Sequence, residues 1–329
     1  MGCKRLVKSG LLWYNYILIY RLTAFLEKRR IGMAKSAFDD FLQEEIKKQE
    51  GVAFPVKAGL LERLVIKKLP CTKMHPNPQD EFTFPDIGPN YEIVSNYEKQ
   101  IMNNIRTHQD IFDEPIMVEK LHPHGYLILN GHHRWAAAMR LRVGKIPVKI
   151  INLAQESDIR KILENSKHDK RATFDMDEVV FRPEDAPYLE KKLGFPYSIK
   201  HKKRIRLGIP ALFYSLSKNG YDIWLYSSTY ESIDDVRDYF RCYGVHVDGI
   251  ITGMAKDKKN TASRKAGVEK LIANKYAVTL HLDNDMILRT EKSTGQFQEF
   301  PLDPGENWSK DAVAVIGELE KNGKEKSNG

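Results

Sequence analysis

The sequence predicts an α/β protein built from two successive units. Three observations lead there. Apolar strand-like runs alternate with amphipathic helical runs from residue 172 onward, a mixed set of such runs fills residues 64–151, and the charged segment 168–171 separates the two. A chain of 329 residues, 42% hydrophobic and 29% charged, is long enough to bury two cores and is neither a mini-protein nor a mostly disordered chain. In the first unit a strand over 64–69 precedes a Pro/Asn/Asp-rich stretch, 70–90, with too many turn formers for a regular element. A helix over 96–106 follows, then strands over 115–120 and 125–129, the second ending in Asn130-Gly131. The residues His132-His133-Arg134 open a helix over 135–141, Gly144 ends it, and 146–151 alternates as a strand. Residues 157–166 read as a helix.

The second unit opens on a buried-type strand, 172–174. It continues as helix 209–219, strand 223–226, helix 233–243, a short strand around Ile250, helix 264–274 and strand 277–282. That alternation implies a parallel sheet with helices on both faces. The expected domains are a basic apolar leader (1–32), an amphipathic helix with linker (33–59), a first domain (60–167), a second (168–320) and a polar, disordered tail (321–329).

The net charge of +8 is concentrated at one end. Lys4, Arg5, Lys8, Arg21, Lys28, Arg29 and Arg30 stand against Glu27 alone, so the remaining body is nearly neutral and has no field that argues for nucleic acid. The apolar stretch 11–26 is shorter than the roughly 20 residues of a bilayer span. It reads as an interfacial anchor, as an uncleaved signal-like segment, or as sequence upstream of a true start at Met33. The last is favoured because an ordinary amphipathic helix begins there, and a membrane is not expected as a partner. Cys3, Cys71 and Cys242 lie far apart without CxxC or zinc spacing, which fits a reducing, cytoplasmic setting. No GxxxxGK[ST] or strand-linked GxGxxG motif occurs.

The sharpest chemical signal is Asp175-Met176-Asp177 directly after an apolar strand. In an open α/β sheet ligands bind at the carboxyl ends of the strands. Two carboxylates there can hold Mg²⁺, and one can attack a phosphoryl centre while the other handles the proton. The strand 223–226 ends in Ser227-Ser228-Thr229, where a hydroxyl and N–H groups could bind a phosphate oxygen. The strand 277–282 ends in Asp283-Asn284-Asp285, which adds oxygen ligands, and Lys265 opens a helix between the two.

This order, over residues 170–303, resembles the haloacid dehalogenase-like phosphohydrolase superfamily. The resemblance implies a Rossmann-like parallel sheet in which Asp175 is the nucleophile, Asp177 the acid/base, Ser227 a phosphoryl contact and Lys265 the charge-stabilising lysine. It also implies a Mg²⁺ site of Asp175, Asp177, Asp283 and Asp285. Glu178 stands where the family usually has Thr or Val, and Lys258, Lys259 and Lys270 are alternatives to Lys265. The intervals between these motifs leave no room for a large lid, so the resemblance is to capless members, whose open sites suit large or protein-bound phosphorylated substrates. The basic stretch 200–206 could frame such a site.

In the first unit, strand, Asn130-Gly131-His132-His133-Arg134 and helix form a phosphate-binding pattern, in which glycine admits a close approach and a helix N-terminus offers N–H groups. The longer string LILNGHHRWAAAMRLRVGKIPVKII, with IKKLPCTKMHPNPQDEF before it, resembles the ParB/sulfiredoxin superfamily over residues 64–153. The resemblance implies an α+β domain with Gly131, His132, His133 and Arg134 binding the phosphates of a nucleotide, a nucleoside triphosphate in kinase-like members. Glu81 matches the region from which such members supply a hydroxyl-activating acid, with Asp80 and Asp86 equally near. Sulfiredoxin chemistry needs a cysteine where His132 stands. A partition protein would carry a helix-turn-helix where the phosphohydrolase-like unit follows. The combined expectation is a Mg²⁺-dependent phosphomonoesterase with an attached nucleotide- or phosphate-binding domain, and the alternative is a nucleic-acid-binding or end-processing protein.

Overall fold

The computed structural model describes residues 35–253, 264–295 and 297–327. The leader expected over 1–32, and Met33, lie outside the described residues. The chain divides into two compact units between Ile151 and Asn152.

In the first unit, helix α1 (Lys35–Gln49) leads to β1 (Phe54–Pro55), a short α2 (Leu60–Leu64), β2 (Lys67–Pro70) and β3 (Met74–His75). Then come α3 (Tyr91–Arg106), β4 (Ile116–His122), β5 (Tyr126–Asn130), α4 (His132–Arg140) and β6 (Lys145–Ile150). The mixed sheet runs β2-β6-β4-β5-β3, with β1 added antiparallel to β4. The strand expected over 64–69 is split, because residues 60–64 wind into α2 and only 67–70 pair with β6. Helix α3 starts earlier than its apolar periodicity suggests, since the Asn90 side chain accepts the Glu92 and Ile93 N–H groups and caps it there. Trp135 is the centre of the core: its ring lies 6.0 Å from Phe38 of α1, and its Nε1 donates to the Cys71 carbonyl.

The second unit begins with α5 (Glu156–Asn165) and β7 (Lys170–Asp175), followed by a single π-helical turn, Met176–Val180. A two-stranded hairpin, β8 (Phe181–Arg182) with β9 (Arg204–Ile205), encloses the short α6 (Tyr197–Lys200). After it come α7 (Ile209–Lys218), β10 (Tyr221–Tyr226), α8 (Ile233–Cys242), β11 (Gly249–Ile251) and α9 (Arg264–Lys275). The chain finishes with β12 (Val278–Leu282), β13 (Met286–Glu291), β14 (Phe297–Pro301) and α10 (Trp308–Ser327). The sheet order is β11-β10-β7-β12-β13-β14; the first four strands are parallel and the last two extend the sheet antiparallel.

The expected parallel sheet covered on both faces is therefore present. Alternation along β10 divides the layers. Tyr221, Ile223 and Leu225 enter the larger core with α7, α8 and α10, and Trp224 enters the smaller one with α5 and α9. Two expectations differ from the structure. Helix α5, which sequence assigns to the first domain, packs on the second unit, because Ile159 and Leu163 meet Trp224, Ile272 and Tyr276. The tail expected to be disordered from residue 321 is helical to Ser327, because α10 is anchored upstream by Trp308, Ala312 and Ile316 at helical spacing.

Gly249 faces Trp224 across the β10/β11 ladder, and a Cβ there would lie 2.1 Å from the indole ring. Gly249→Ala is expected to destabilise the second unit by about 3 kcal/mol, the upper part of the overpacking range, as read from urea unfolding. An unchanged midpoint would show that the ring can move aside.

Candidate functional site

The carboxyl ends of β7, β10 and β12 lie side by side, since Tyr226 pairs with Asp175 and Leu282 with Phe174. Regular strand geometry ends at Asp175. Its Oδ1 accepts the N–H groups of Asp177 (2.7 Å) and Glu178 (3.0 Å), which fastens the π-helical turn onto the strand end. Because the chain leaves the strand at Asp175, Asp175 and Asp177 are not alternate residues of one strand and do not share a face as such residues do. Asp175 Oδ2 takes no hydrogen bond from a described residue.

Asp177 instead reaches the end of β10. Its Oδ2 accepts from Ser227 Oγ (2.8 Å), Ser228 N (2.9 Å) and Ser228 Oγ (3.0 Å). Burial alone would raise its pKa. The Ser227 and Ser228 donors, with Lys203 nearby, outweigh that and hold the carboxyl below the usual carboxylate range. Ser227 is only 1% exposed and also contacts Thr229, so the hydroxyl expected to face a phosphate is turned onto Asp177. Ser228 and Thr229 surround the same carboxylate: Ser228 donates from N and Oγ to Asp177 Oδ2, and Thr229 Oγ1 lies 3.4 Å from Asp177 Oδ1.

Asp283 follows Leu282, one position beyond the residue pairing with Phe174, and its Oδ1 accepts Asn284 N. Asp285 is exposed, and only its carbonyl is used, by Leu302 N. Among the described residues no three His, Cys, Asp or Glu side chains converge on one metal position. The four-carboxylate site is therefore corrected: Asp177 is committed to the serines and Asp285 points to solvent. Asp175 and Asp283, at neighbouring strand ends, fit the one or two carboxylates that Mg²⁺ uses with water and substrate phosphate. Lys265 belongs to the first turn of α9, but its side chain lies outside the described residues, as do Lys258 and Lys259 entirely; Lys270 is exposed. In the basic stretch 200–206, Lys200 pairs with Asp235 and Asp238 and Lys203 with Glu231.

In the first unit Gly131 adopts φ +101° and turns the chain from β5 into α4; a Cβ would come within 3.1 Å of the Arg134 guanidinium and Ile116. The side chains after it are spent on the fold. His132 Nε2 accepts Asn77 N (3.1 Å), with Nδ1 3.4 Å from Asp80. His133 Nε2 accepts Asn90 N (3.2 Å), and Phe82 packs on both rings. Arg134 donates to the Glu114 carbonyl and Asn130 Oδ1. The expectation that His132 and Arg134 side chains bind phosphate is thus corrected. What the turn offers is the main-chain N–H groups of His132, His133 and Arg134, which have no partner inside the helix. Burial lowers the pKa of both histidines, that of His132 to about 4. Glu81 is exposed at the start of a 3₁₀ turn, whereas Asp80 is the acid that meets His132. Cys71 is buried with its thiol pushed up to about 11, which is unsuited to nucleophilic chemistry.

Among the described residues no helix is long and apolar enough to cross a membrane. An ATP-dependent L-serine kinase from Staphylothermus marinus is 37% identical over 97 residues, 28% of this chain and 38% of that protein, so the chain spans little more than a third of that relative's length. Among solved structures, the C-terminal domain of the Coenzyme A biosynthesis bifunctional protein CoaBC aligns over 47% of this chain and 97% of its own at 14% identity. Its TM-score of 0.18 carries no argument about the fold. Residues 86–167 match the family model of the ParB N-terminal domain.

Proposed function

We propose that the protein is a two-domain phosphoryl-transfer enzyme whose second unit hydrolyses a phosphomonoester in the manner of capless haloacid dehalogenase-like phosphatases. The observation that carries this reading is the open Asp175 carboxylate beside an Asp177 clasped by Ser227 and Ser228, at the carboxyl edge of a parallel sheet. Asp175 Oδ2 attacks phosphorus in line, the bond to the leaving oxygen breaks, and an aspartyl phosphate forms. Asp177 protonates the leaving oxygen and then takes a proton from the water that releases phosphate.

The clasp keeps Asp177 ionised, so it can act as an acid only when the Ser227 and Ser228 donors turn to phosphoryl oxygens. The same donors therefore couple substrate binding to protonation of Asp177. Asp175 and Asp283 would hold a Mg²⁺ ion, which would supply charge neutralisation on the phosphoryl group, with Lys265 as the candidate lysine. Phosphate release from a panel of aryl, sugar and amino-acid phosphates in Mg²⁺ is the test; no release from any of them overturns the reading.

For the first unit, the match to a ParB N-terminal domain and the similarity to a serine kinase favour binding of a nucleoside triphosphate at the Gly131–Arg134 turn, with a kinase-like role and Glu81 as the candidate acid. Gly131→Ala strains a left-handed backbone and crowds Arg134. It is expected to weaken ATP or ADP binding at least about tenfold by calorimetry. The absence of heat with either nucleotide for the unaltered protein would remove the nucleotide reading.

A further inference from the structure

Beside Asp283 stands an arrangement that the phosphohydrolase reading leaves unused. Arg182, at the end of β8, donates from Nη2 to Asn284 Oδ1 (2.8 Å), and Arg206 donates from Nη1 to the same oxygen (3.0 Å). Two guanidinium groups thus converge on one neutral acceptor. Among the described residues no carboxylate pairs with either. Buried or half-buried charges ordinarily have a counter-charge, because desolvation without one is costly. Burial first, and the neighbouring Arg182 second, pull the Arg206 pKa down to about 10.

The two arginines are not equivalent. Arg206 is 3% exposed and fully engaged: Nη2 donates to the Pro304 carbonyl, and its guanidinium lies 4.0 Å from the centre of the Trp308 ring. Arg182 is half-buried and uses one nitrogen only, leaving the rest of its planar fork open. Asn284 fixes the pair against the reaction centre, since it follows Asp283 and its Nδ2 donates to the Glu178 carbonyl in the turn after Asp175. On the phosphohydrolase reading Mg²⁺ and Lys265 would meet the charge on the transferred phosphoryl group, which leaves this second positive centre for a second negative one.

We propose that Arg182, oriented by Asn284 and backed by Arg206, binds a second anionic group of the substrate, so that the second unit acts on phosphomonoesters carrying a further carboxylate or phosphate. The inference rests on the phosphohydrolase reading for the word substrate, and its test separates the two.

In the full-length Asp175→Asn protein, binding of O-phosphoserine, 1,3-propanediol bisphosphate and ethyl phosphate is compared by calorimetry. At least one of the first two is expected to bind ten times more tightly than ethyl phosphate, and which one does so identifies the anion. Arg182→Gln should abolish that preference. Asn284→Asp, which places a carboxylate between the arginines with little change in size, should abolish it too, so a packing defect in one variant does not decide the matter. Equal affinity for all three esters, or an equal loss for all three in Arg182→Gln, overturns the proposal. Discriminating binding without phosphate release from any ester by the unaltered protein would leave the anion site standing and remove the phosphatase reading.

Discussion

Asp175→Asn is expected to reduce phosphate release at least about 10⁴-fold while leaving the melting temperature within a degree or two. The large activity loss follows because an amide oxygen is too weak a nucleophile to form the phosphoryl intermediate, and the effect of removing a nucleophile is of this order. The small stability effect follows because the structural duty of Asp175 is only to accept two N–H groups through Oδ1, and an amide oxygen does this as well. Asp177→Asn should cost less, about 10²- to 10⁴-fold, the range for positioned acid-base groups. Retained activity in Asp175→Asn would sink the covalent mechanism.

Acidification from pH 6.5 to 4 should destabilise the first unit by roughly 3 kcal/mol through His132 alone. The ring is 4% exposed, and burial, the largest influence, lowers its pKa to about 4 against the effect of Asp80. At neutral pH the ring is uncharged in both folded and unfolded chains, so nothing is lost. Below pH 6.5 the unfolded chain takes up the proton and the folded one does not, and stability falls until the folded-state value is reached. Protonation at Nε2 would also remove the acceptor for Asn77 N. Thermal unfolding followed from pH 7.5 to 4 should show this loss, and His132→Gln should flatten the profile. An unchanged slope in the variant would assign the acid sensitivity elsewhere.

The strand and helix alternation of the second unit was legible in sequence because its strands are buried on both faces and its helices keep a clear period. The antiparallel β13 and β14 were not, since their exposed polar positions resemble loop sequence. Gly131 was legible through the demand of the strand-to-helix turn. The inward fate of His132, His133 and Arg134 was not, because their respective partners Asn77, Asn90 and Glu114 are distant in sequence. At the second site, Asp175 and Asp177 announced themselves by spacing. Their divergence depends on a π-helical turn that spacing does not encode. Arg182 carried no local signal and Arg206 stood only as one charge of the basic stretch 200–206, as only the hairpin brings them to Asn284.

The attachment of α5 to the second unit determines where the chain can be divided. A fragment beginning at residue 168 would lack Asn152, whose N–H and side chain engage Ser232 and Asp234, and would strip the cover from Trp224, Ile272 and Tyr276. An aromatic sheet face laid bare in this way is an aggregation hazard, so such a fragment is expected to precipitate although the carboxyl edge of its sheet is intact.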